Sequence, residues 1–209
     1  MLRLHNYSKQ YNRQPVISAD LTLPFGSYWL KGSNGAGKTT LMRSIAGQIP
    51  FRGSIIADGT DISKKPSLYR RKVNYAEAEP VFPDFLTGNE LIRFYREAKG
   101  GSESQAADLI EVLGAGAYLH QKTGTYSSGM LKKLSLVLAF IGNPRLILLD
   151  EPLITLDTAS VHSLTSLIDI ERKKGTGLII TSHQEVVLPG SRLLPLVIED
   201  RQLKIADTV

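Results

Sequence analysis

A glycine-rich stretch at residues 32–40, GSNGAGKTT, constrains the fold more than any other feature of the sequence. It fits G-x-x-x-x-G-K-[ST], the P-loop pattern, whose backbone N–H groups cradle phosphate oxygens. A helix that begins near Lys38 points its positive dipole end at the same oxygens. The pattern places the Lys38 ammonium near the β- and γ-phosphates and the Thr39 hydroxyl near Mg²⁺. The predicted nucleotide-binding residues form one run: Ser33, Asn34, Gly35, Ala36, Gly37, Lys38, Thr39 and Thr40.

The flanks of this stretch support the same interpretation. Residues 28–30 are typical of a short buried strand, and residues 41–46 have helical spacing before a stop at Gly47 and Pro50. A strand–loop–helix setting is the context that a phosphate-binding loop requires. A glycine-rich turn without function is the alternative, and it leaves the complete pattern unexplained.

The composition limits the remaining classes of protein. A chain of 209 residues holds one ample core, or one core with a small inserted lobe. It has no cysteine, which excludes disulfides and thiolate metal sites. The apolar runs at residues 134–141 and 146–149 are too short to span a membrane, and residues 1–6 are too polar for a signal peptide. We therefore expect a soluble, cytosolic protein, and the modest net charge of +5 gives no reason to expect nucleic-acid binding.

The first 76 residues favour strands. Residues 2–31 contain short apolar strands joined by turns, residues 53–62 suggest a hairpin with an Asp58-Gly59 turn, and residues 73–76 suggest another strand. The basic segment 64–72 is typical of a solvated face. Tyr11 is either an ordinary loop tyrosine or, beside a nucleotide site, a ring that stacks on adenine.

Residues 84–140 are expected to be mostly helical. Thr87 and Glu90 form a capping box, Ser102 opens a second helix, and residues 126–130 open a long third one. The Ser127-Ser128-Gly129 sequence has two interpretations, which the residues alone leave open. It is either a plain serine N-cap or a second phosphate-binding helix end.

Two later strands are predicted to place acidic residues and a histidine at one edge of a sheet. Residues 146–149 form an apolar run that ends in Asp150 and Glu151, and the carboxyl end of a buried parallel strand is where α/β proteins bind ligands. Asp150 would hold Mg²⁺, and Glu151 would polarise the water that attacks the γ-phosphate, although two such acids are commonly a solvated turn. Residues 177–183 form a second buried strand that ends at His183, a candidate for contact with the γ-phosphate or with that water. Residues 193–198 and 203–205 are expected to be edge strands.

In this order, the motifs resemble those of the ATP-binding subunit of ABC transporters over nearly the whole chain. Tyr11 matches the A-loop aromatic, residues 32–39 match Walker A, and the YSSGM of residues 126–130 resembles the LSGGQ signature. Residues 146–151 match Walker B with its catalytic glutamate, Asp157 lies at the D-loop, and His183 at the switch histidine. The signature lying between Walker A and Walker B makes the resemblance specific.

The resemblance implies an α/β fold: a P-loop NTPase (RecA-like) core with a parallel sheet, an antiparallel β lobe and an inserted helical subdomain. It places the core at residues 1–84 and 138–209 and the subdomain at 85–137 of a single domain. It also implies a catalytic role for Glu151 and His183, Mg²⁺ held by Thr39 and Asp150, and ATP bound between two such domains paired head to tail. Ser127, Ser128 and Gly129 would then face the ATP of the partner domain, in a homodimer or a pseudo-dimer.

The implied partner is a separately encoded integral membrane permease, with this chain peripheral on the inner face of the cell membrane. The small size and the YSxGM form are similar to those of ABC-2 and haem-exporter types. The candidate surface for the permease is the helical lobe with Phe82, Phe85 and Leu86, and with basic Arg93 and Arg96 nearby. A soluble ABC-type ATPase and, less favoured, a P-loop kinase are the alternatives.

The chain departs from the family pattern at the Q-loop. The family usually has YxPQEP, and here residues 75–80 are YAEAEP, which puts Ala78 at the glutamine position. Because alanine has no group that reaches Mg²⁺ or water, hydrolysis is expected to be slow unless Glu77 or Glu79 substitutes. Ser128 and Met130 are further departures in the signature, and Ile154-Thr155 in the D-loop.

Overall fold

The computed structural model describes residues 1–182 and 193–206. In these residues the strands are β1 (Leu2–Tyr11), β2 (Gln14–Leu23), β3 (Ser27–Lys31), β4 (Arg52–Ala57), β5 (Thr60–Asp61), β6 (Val73–Ala76), β7 (Leu146–Leu149), β8 (Gly177–Thr181), β9 (Leu194–Glu199) and β10 (Gln202–Ile205). The helices are α1 (Lys38–Ala46), α2 (Pro66–Lys72), α3 (Gly88–Lys99), α4 (Glu103–Val112), α5 (Ser128–Phe140) and α6 (Thr158–Lys173). Short 3₁₀ turns lie at Gly116–Tyr118 and Thr123–Thr125.

The strands form one sheet in the order β5-β4-β1-β2-β10-β9-β3-β8-β7-β6. From β9 to β6 the neighbouring strands run parallel, and β1, β2, β4 and β5 pair antiparallel. The predicted α/β class, with a parallel sheet and an antiparallel lobe, is therefore confirmed. The carboxyl ends of β3, β7 and β8 lie side by side, which brings residues 31, 150 and 182 to one edge of the parallel half.

Two apolar clusters cover the two faces of the sheet, and β7 shows why its sequence is continuously hydrophobic. Ile147 and Leu149 belong to the cluster that contains residues of α5 and α6, whereas Leu146 and Leu148 belong to the cluster under α1. All four side chains are at most 2% exposed. A strand buried on both faces needs apolar residues at every position, which removes the alternation expected of a half-exposed strand.

Residues 193–206 correct the prediction of edge strands. β9 lies between β3 and β10, and β10 lies between β9 and β2, so both strands are inside the sheet. β9 runs parallel to β3, and β10 turns back and meets β2 through the pair Gln202 and Ser18. Their weak alternation reflects burial on one face only: Leu196 and Ile198 join the cluster under α1.

The hairpin predicted at residues 53–62 is present as β4 and β5. Asp58 and Gly59 both have positive φ, 47° and 72°, as a type I′ turn requires.

Next to this hairpin, the basic segment 64–72 contains the helix α2, which the sequence did not predict. Arg70 and Arg71 donate to the carbonyl groups of Gly47 and Ala98 at the ends of α1 and α3. Part of the basic charge therefore satisfies helix C-termini instead of only facing solvent.

Helices α3, α4 and α5 pack together, and local sequence signals set where they begin. The Thr87 hydroxyl accepts from the Glu90 N–H while the Glu90 carboxylate accepts from the Thr87 N–H, which is the predicted capping box. Ser102 caps α4 in the predicted way. None of the helices in the described residues combines the length and the apolar character that crossing a membrane needs.

Candidate nucleotide site

The loop between β3 and α1 is shaped by its glycines. Gly35 and Gly37 have φ of 78° and 103°, a region that favours glycine. A Cβ on Gly37 would lie 3.1 Å from Val16 Cγ1, so β2 packs tightly behind the loop. The Lys38 ammonium donates to the carbonyl groups of Gly32 and Ser33, at 2.7 and 3.2 Å. The loop therefore curls around the lysine and presents the start of α1, which no side chain of the described residues caps.

A cavity of about 490 Å³ lies against this loop. It brings together residues from the end of β1, from the loop and α1, and from the end of β7. The lining residues are Tyr11, Val16, Asn34, Gly35, Gly37, Lys38, Thr39, Thr40, Asp150 and Glu151. Ser33 and Ala36 line a second cavity of about 720 Å³, on the side of β9 and its turn to β10. Most of the nucleotide-binding residues expected from the sequence thus lie around one space, together with both carboxylates.

Asp150 is 1% exposed, and two hydroxyl groups hold its carboxylate. Thr181 Oγ1 donates to Oδ1 at 2.6 Å, and the Tyr75 hydroxyl donates to Oδ2 at 3.1 Å. Burial, followed by the charge of Asp150, raises the pKa of Tyr75, so the phenol remains a donor at neutral pH. These two bonds orient the carboxylate and leave it further lone pairs, because an ionised carboxylate accepts at about four positions.

Glu151 follows Asp150 with a left-handed backbone conformation. Its φ is 44°, which is uncommon for a residue other than glycine, asparagine or aspartate. The Glu151 N–H donates to Thr181 Oγ1 at 2.8 Å. One threonine hydroxyl at the end of β8 therefore fixes both acidic residues, and the strained backbone re-aims the Glu151 side chain after a buried strand.

The donors that line the cavity fit a magnesium ion that also binds phosphate. No cluster of three or more histidine, aspartate or glutamate residues exists in the part of the chain that is described. Thr39 and Asp150 line the same cavity and offer one hydroxyl and one carboxylate. Mg²⁺ commonly takes one or two protein oxygens and fills its other positions with phosphate oxygens and water. The residues present therefore match an ion that arrives with a nucleotide.

Tyr11 is 49% exposed at the end of β1, at the mouth of the cavity. The Lys9 ammonium lies 4.5 Å from the centroid of its ring and donates to the Pro50 carbonyl at 2.8 Å. The ring is thereby supported from the protein side, and its position is compatible with stacking on a base.

The start of α5 lies apart from this cavity. Ser127 Oγ accepts from the Met130 N–H at 3.3 Å, so the serine N-cap is present. Ser127 and Ser128 are exposed, Gly129 is half-buried, and none of the three belongs to the described lining of the cavity. A Cβ on Gly129 would lie 3.1 Å from the Thr155 carbonyl oxygen, so the segment before α6 packs directly on the start of α5.

Asp157 links the same two segments. Its carboxylate accepts from the Ser160 N–H at 2.8 Å, which caps α6, and it forms an ion pair of 2.9 Å with Lys133. The Ser160 N–H and then the Lys133 ammonium hold the pKa of Asp157 well below its ordinary value. Asp157 therefore stays ionised and joins α6 to α5.

The loop after β6 shows how the alanine at the glutamine position is accommodated. The Glu77 carboxylate pairs with Arg43 at 3.0 Å and accepts from Gln48 at 2.8 Å, so it is directed away from the cavity. In this conformation Glu77 does not belong to the described lining of the cavity. The loop backbone is instead held by Lys132, which donates to the carbonyl groups of Glu77 and Ala78, each at 2.8 Å.

Lys132 is a buried site residue that the sequence analysis missed. It is 1% exposed, and its ammonium also donates to the Asp150 carbonyl at 3.2 Å. Burial lowers the pKa of Lys132 to about 8, against the opposing charge of Asp150. Tyr75 and Thr181 were missed as well, although each lies on a predicted strand next to β7. His183 lies outside the described residues, and its predicted role stays a prediction.

Comparison with known proteins agrees with this geometry. Residues 18–154 match the family described as ABC transporter. The chain is 32% identical over 193 residues to "ATP-binding cassette sub-family A member 7" of Rattus norvegicus, covering 88% of this chain but only 9% of that protein. It is 30% identical over 186 residues to the lantibiotic transport ATP-binding protein SrtF of Streptococcus pyogenes, covering 88% of this chain and 80% of SrtF.

Solved structures show the same fold. An ATP-binding subunit of an ABC transporter superposes with a TM-score of 0.84 at 27% identity, covering 98% of this chain and 88% of that one. The ATP-binding cassette MJ0796, in a dimeric post-hydrolysis state bound to ADP and Pi, superposes with a TM-score of 0.83 at 18% identity, covering 98% and 97%. The family match, the similarity to SrtF and the shared P-loop NTPase fold lead to one conclusion: this chain belongs to the ABC transporter family and corresponds to its ATP-binding subunit.

Proposed function

We propose that this chain binds Mg·ATP in the cavity beside the P-loop and hydrolyses it to drive transport through a separately encoded membrane permease. The observation that carries the proposal is the convergence of Lys38, Thr39, Asp150 and Glu151 on one cavity of about 490 Å³. A phosphate-binding loop and a buried, oriented carboxylate are the two halves of a Mg·nucleotide site.

Each residue has a proposed role that follows from the chemistry of its side chain or backbone. Lys38 and the N–H groups at the start of α1 bind the phosphates, and Tyr11 stacks on the adenine. Thr39 and Asp150 would hold Mg²⁺, which would supply positive charge to the phosphates when bound. Glu151 orients and polarises the attacking water, and His183 assists at the γ-phosphate. Two partners on the Asp150 carboxylate support its role as a fixed ligand, since they limit its rotation.

The catalytic unit is proposed to be a head-to-tail dimer, a homodimer or a pseudo-dimer with a second ATP-binding domain. Ser127 and Ser128 are exposed at the start of α5, and neither they nor half-buried Gly129 belong to the described lining of the chain's own cavity, which supports a role toward the ATP of a partner. MJ0796, which has the same fold, is itself dimeric, and this supports dimerisation. In this proposal residues 1–84 and 138–209 form the core and residues 85–137 the inserted helical subdomain.

Replacement of Glu151 tests hydrolysis and dimerisation together. Glu151→Gln should retain ATP binding, lose most of the ATPase activity, and run as a dimer in gel filtration with light scattering when ATP and Mg²⁺ are present. Lys38→Ala is the matched control, because it should lose ATP binding and stay monomeric. A Glu151→Gln protein that binds ATP and remains monomeric, while the wild type hydrolyses ATP as a monomer, would contradict the shared site.

The permease is proposed to dock at a groove between the loop after β6 and α3. The groove has a volume of about 630 Å³ and is lined by Val81, Phe82, Phe94 and neighbouring residues. Val81 is 87% exposed and Phe94 64%, and nearby Phe85 is 71% exposed. Large apolar side chains grouped on a surface are typical of an interaction site. Docking there would hold the chain at the inner face of the cell membrane; no nucleic-acid partner is proposed.

Substitution at Phe85 tests the docking surface. Phe82 packs against the core, so its replacement would also disturb folding, whereas Phe85 is largely free of such contacts. Phe85→Asp should abolish co-purification of an integral membrane protein, and Ile170→Asp, at an exposed apolar residue on α6, should not. If Phe85→Asp and Phe94→Asp, the second of which lines the groove, both retain the membrane partner of the wild type, the groove is not the docking surface. If the wild type retains none, a soluble ABC-type ATPase is favoured.

The alanine at position 78 is proposed to make hydrolysis slow. Ala78→Gln should raise kcat, with the affinity for ATP unchanged, in a steady-state phosphate-release assay. An unchanged kcat would mean that the loop acts through its backbone instead of through a side chain at this position.

A further inference from the structure

We propose that Lys132 is a positioning residue that ties the loop of residues 77–83 to the end of β7 and thereby fixes the backbone of Asp150. The inference rests on the proposed function, because it concerns the orientation of the same carboxylate. It adds a residue outside the nucleotide-binding and signature motifs.

Every N–H donor of the Lys132 ammonium group has a backbone acceptor. Lys132 reaches inward from α5 and has three N–H donors, and it meets three carbonyl oxygens: those of Glu77 and Ala78 at 2.8 Å and that of Asp150 at 3.2 Å. A lysine is rarely buried to 1% exposure unless its charge is paired or fully hydrogen-bonded. All three donors are used, and each acceptor belongs to one of two backbone segments. Lys132 therefore joins these two segments directly.

The two segments lead to different places. Asp150 lines the nucleotide cavity, whereas residues 77 and 81–83 line the docking groove. The Glu77 side chain is held on the α1 side by Arg43 and Gln48, which fixes one end of the loop. Val81 and Phe82, a few residues on, belong to the groove. Lys132 therefore binds a loop that lines the groove on one side and a strand end that lines the nucleotide cavity on the other.

The strand β6, which precedes this loop, is also hydrogen-bonded to the carboxylate of Asp150. Tyr75, on β6, donates to Asp150 Oδ2 at 3.1 Å. Lys132 fixes the backbone of Asp150, and Tyr75 and Thr181 fix its side chain. At position 78 the side chain is a methyl group, so the hydrogen bond from this residue to the site is made through its carbonyl oxygen and the lysine. The backbone contact takes the place of a side-chain contact from the loop.

The test compares Lys132 with Lys99, a half-buried lysine with the same type of bonding. Lys99 also donates to backbone carbonyl groups, those of Arg70 and Val73, and burial likewise lowers its pKa to about 8. It lies outside the lining of both the nucleotide cavity and the docking groove. Lys99→Met is therefore a matched control for Lys132→Met, because each change removes an ammonium that donates to backbone carbonyl groups and leaves an unbranched side chain of similar length.

The first readout is amide hydrogen exchange of the nucleotide-free protein, measured by mass spectrometry. Lys132→Met should increase exchange in residues 76–83 at least fivefold, whereas Lys99→Met should increase it only around α2 and the end of α3. Lys132→Arg, which keeps the charge and donors, should restore most of the protection. Unchanged exchange in residues 76–83 of a folded Lys132→Met protein would overturn the proposal.

The second readout is steady-state hydrolysis with the wild type as reference. Lys132→Met should lower kcat at least tenfold and raise the Mg²⁺ concentration for half-maximal activity, while the affinity for ATP changes less than twofold; Lys99→Met should leave kcat within twofold. If Lys132→Met does not fold, Lys132→Gln takes its place, and wild-type exchange and kcat in that variant overturn the proposal. A wild type without ATPase activity would refute the proposed function and leave the exchange result to decide the role of Lys132.

Discussion

The hydroxyl of Thr181 offers the sharpest test of how the two carboxylates are held. It donates to Asp150 Oδ1 at 2.6 Å and accepts from the Glu151 N–H at 2.8 Å, with the residue 0% exposed. Thr181→Val keeps the shape of the side chain and removes the hydroxyl. The substitution leaves a buried carboxylate with one bond fewer and a backbone N–H without this acceptor.

The magnitude follows from these two losses. A hydrogen bond to a charged group contributes about 1.5–3 kcal/mol, and a buried donor without a partner costs about 1–3 kcal/mol. Together they predict a loss of roughly 2.5–6 kcal/mol, a large part of the about 5–15 kcal/mol of a typical domain. At about 2–4 °C per kcal/mol for a chain of this size, Tm should fall by roughly 5–24 °C.

Urea unfolding followed by circular dichroism measures this free energy. The protein's single tryptophan provides a second, local signal, because Trp29 Nε1 donates to the Ser182 carbonyl at 3.1 Å, next to the substitution. Thr181→Ser is the control: it keeps the hydroxyl and should lose only about 1 kcal/mol for the missing methyl group. Equal stabilities of the valine and serine variants, both within 1 kcal/mol of the wild type, would refute the reasoning.

Three further predictions concern local structure. Gly53→Ala should lower the free energy of unfolding by about 3 kcal/mol or more, because the new Cβ would lie 2.3 Å from the Asn6 carbonyl oxygen. Gly59→Ala is the control: no atom lies within 4 Å of its Cβ, so it should cost only about 1 kcal/mol for the positive φ. Equal losses of the two variants in urea titrations would contradict this prediction. Thr87→Ala should lower the free energy of unfolding by about 1 kcal/mol, because the capping box is lost. An unchanged Tm in thermal unfolding would contradict this. Asp157→Asn should be less stable than the wild type at pH 7. Because the folded-state pKa of Asp157 lies well below its ordinary value, its contribution is fully present above the ordinary value of about 4 and is lost progressively as the pH falls from there toward the lower folded-state pKa, so the difference in Tm should narrow below pH 4. A difference that stays constant from pH 7 to pH 3 would exclude the ionised carboxylate as its cause.

Features set by neighbouring residues could be predicted from the sequence. The caps at Thr87 and Ser102, the turn at Asp58-Gly59 and the glycine-rich loop each depend on a few adjacent side chains and their φ preferences. The strand that ends at Asp150 was also evident, because burial on both faces requires an unbroken apolar run. These signals located the P-loop and both acidic residues before any fold was known.

Features that depend on distant partners could not be predicted in this way. The segments 194–199 and 202–205 have the pattern of strands, but only their neighbours decide that they lie inside the sheet. In the sequence, two adjacent lysines such as Lys132 and Lys133 indicate solvent exposure. The burial of Lys132 depends instead on three carbonyl groups that are 18 to 55 positions away in sequence. Periodicity records which side of a helix is apolar, and it carries no information about a charged group that backbone oxygens surround.

The position of β9 and β10 has a consequence for how the protein is made. These strands are translated after all the other strands described above, and they provide the pairs between β2 and β3 that join the antiparallel half of the sheet to the parallel half. While the chain is still on the ribosome, β2 and β3 therefore each expose an unpaired edge. Until residues 194–205 have left the exit tunnel, the nascent chain needs protection from edge-to-edge association, and molecular chaperones are suited to provide it.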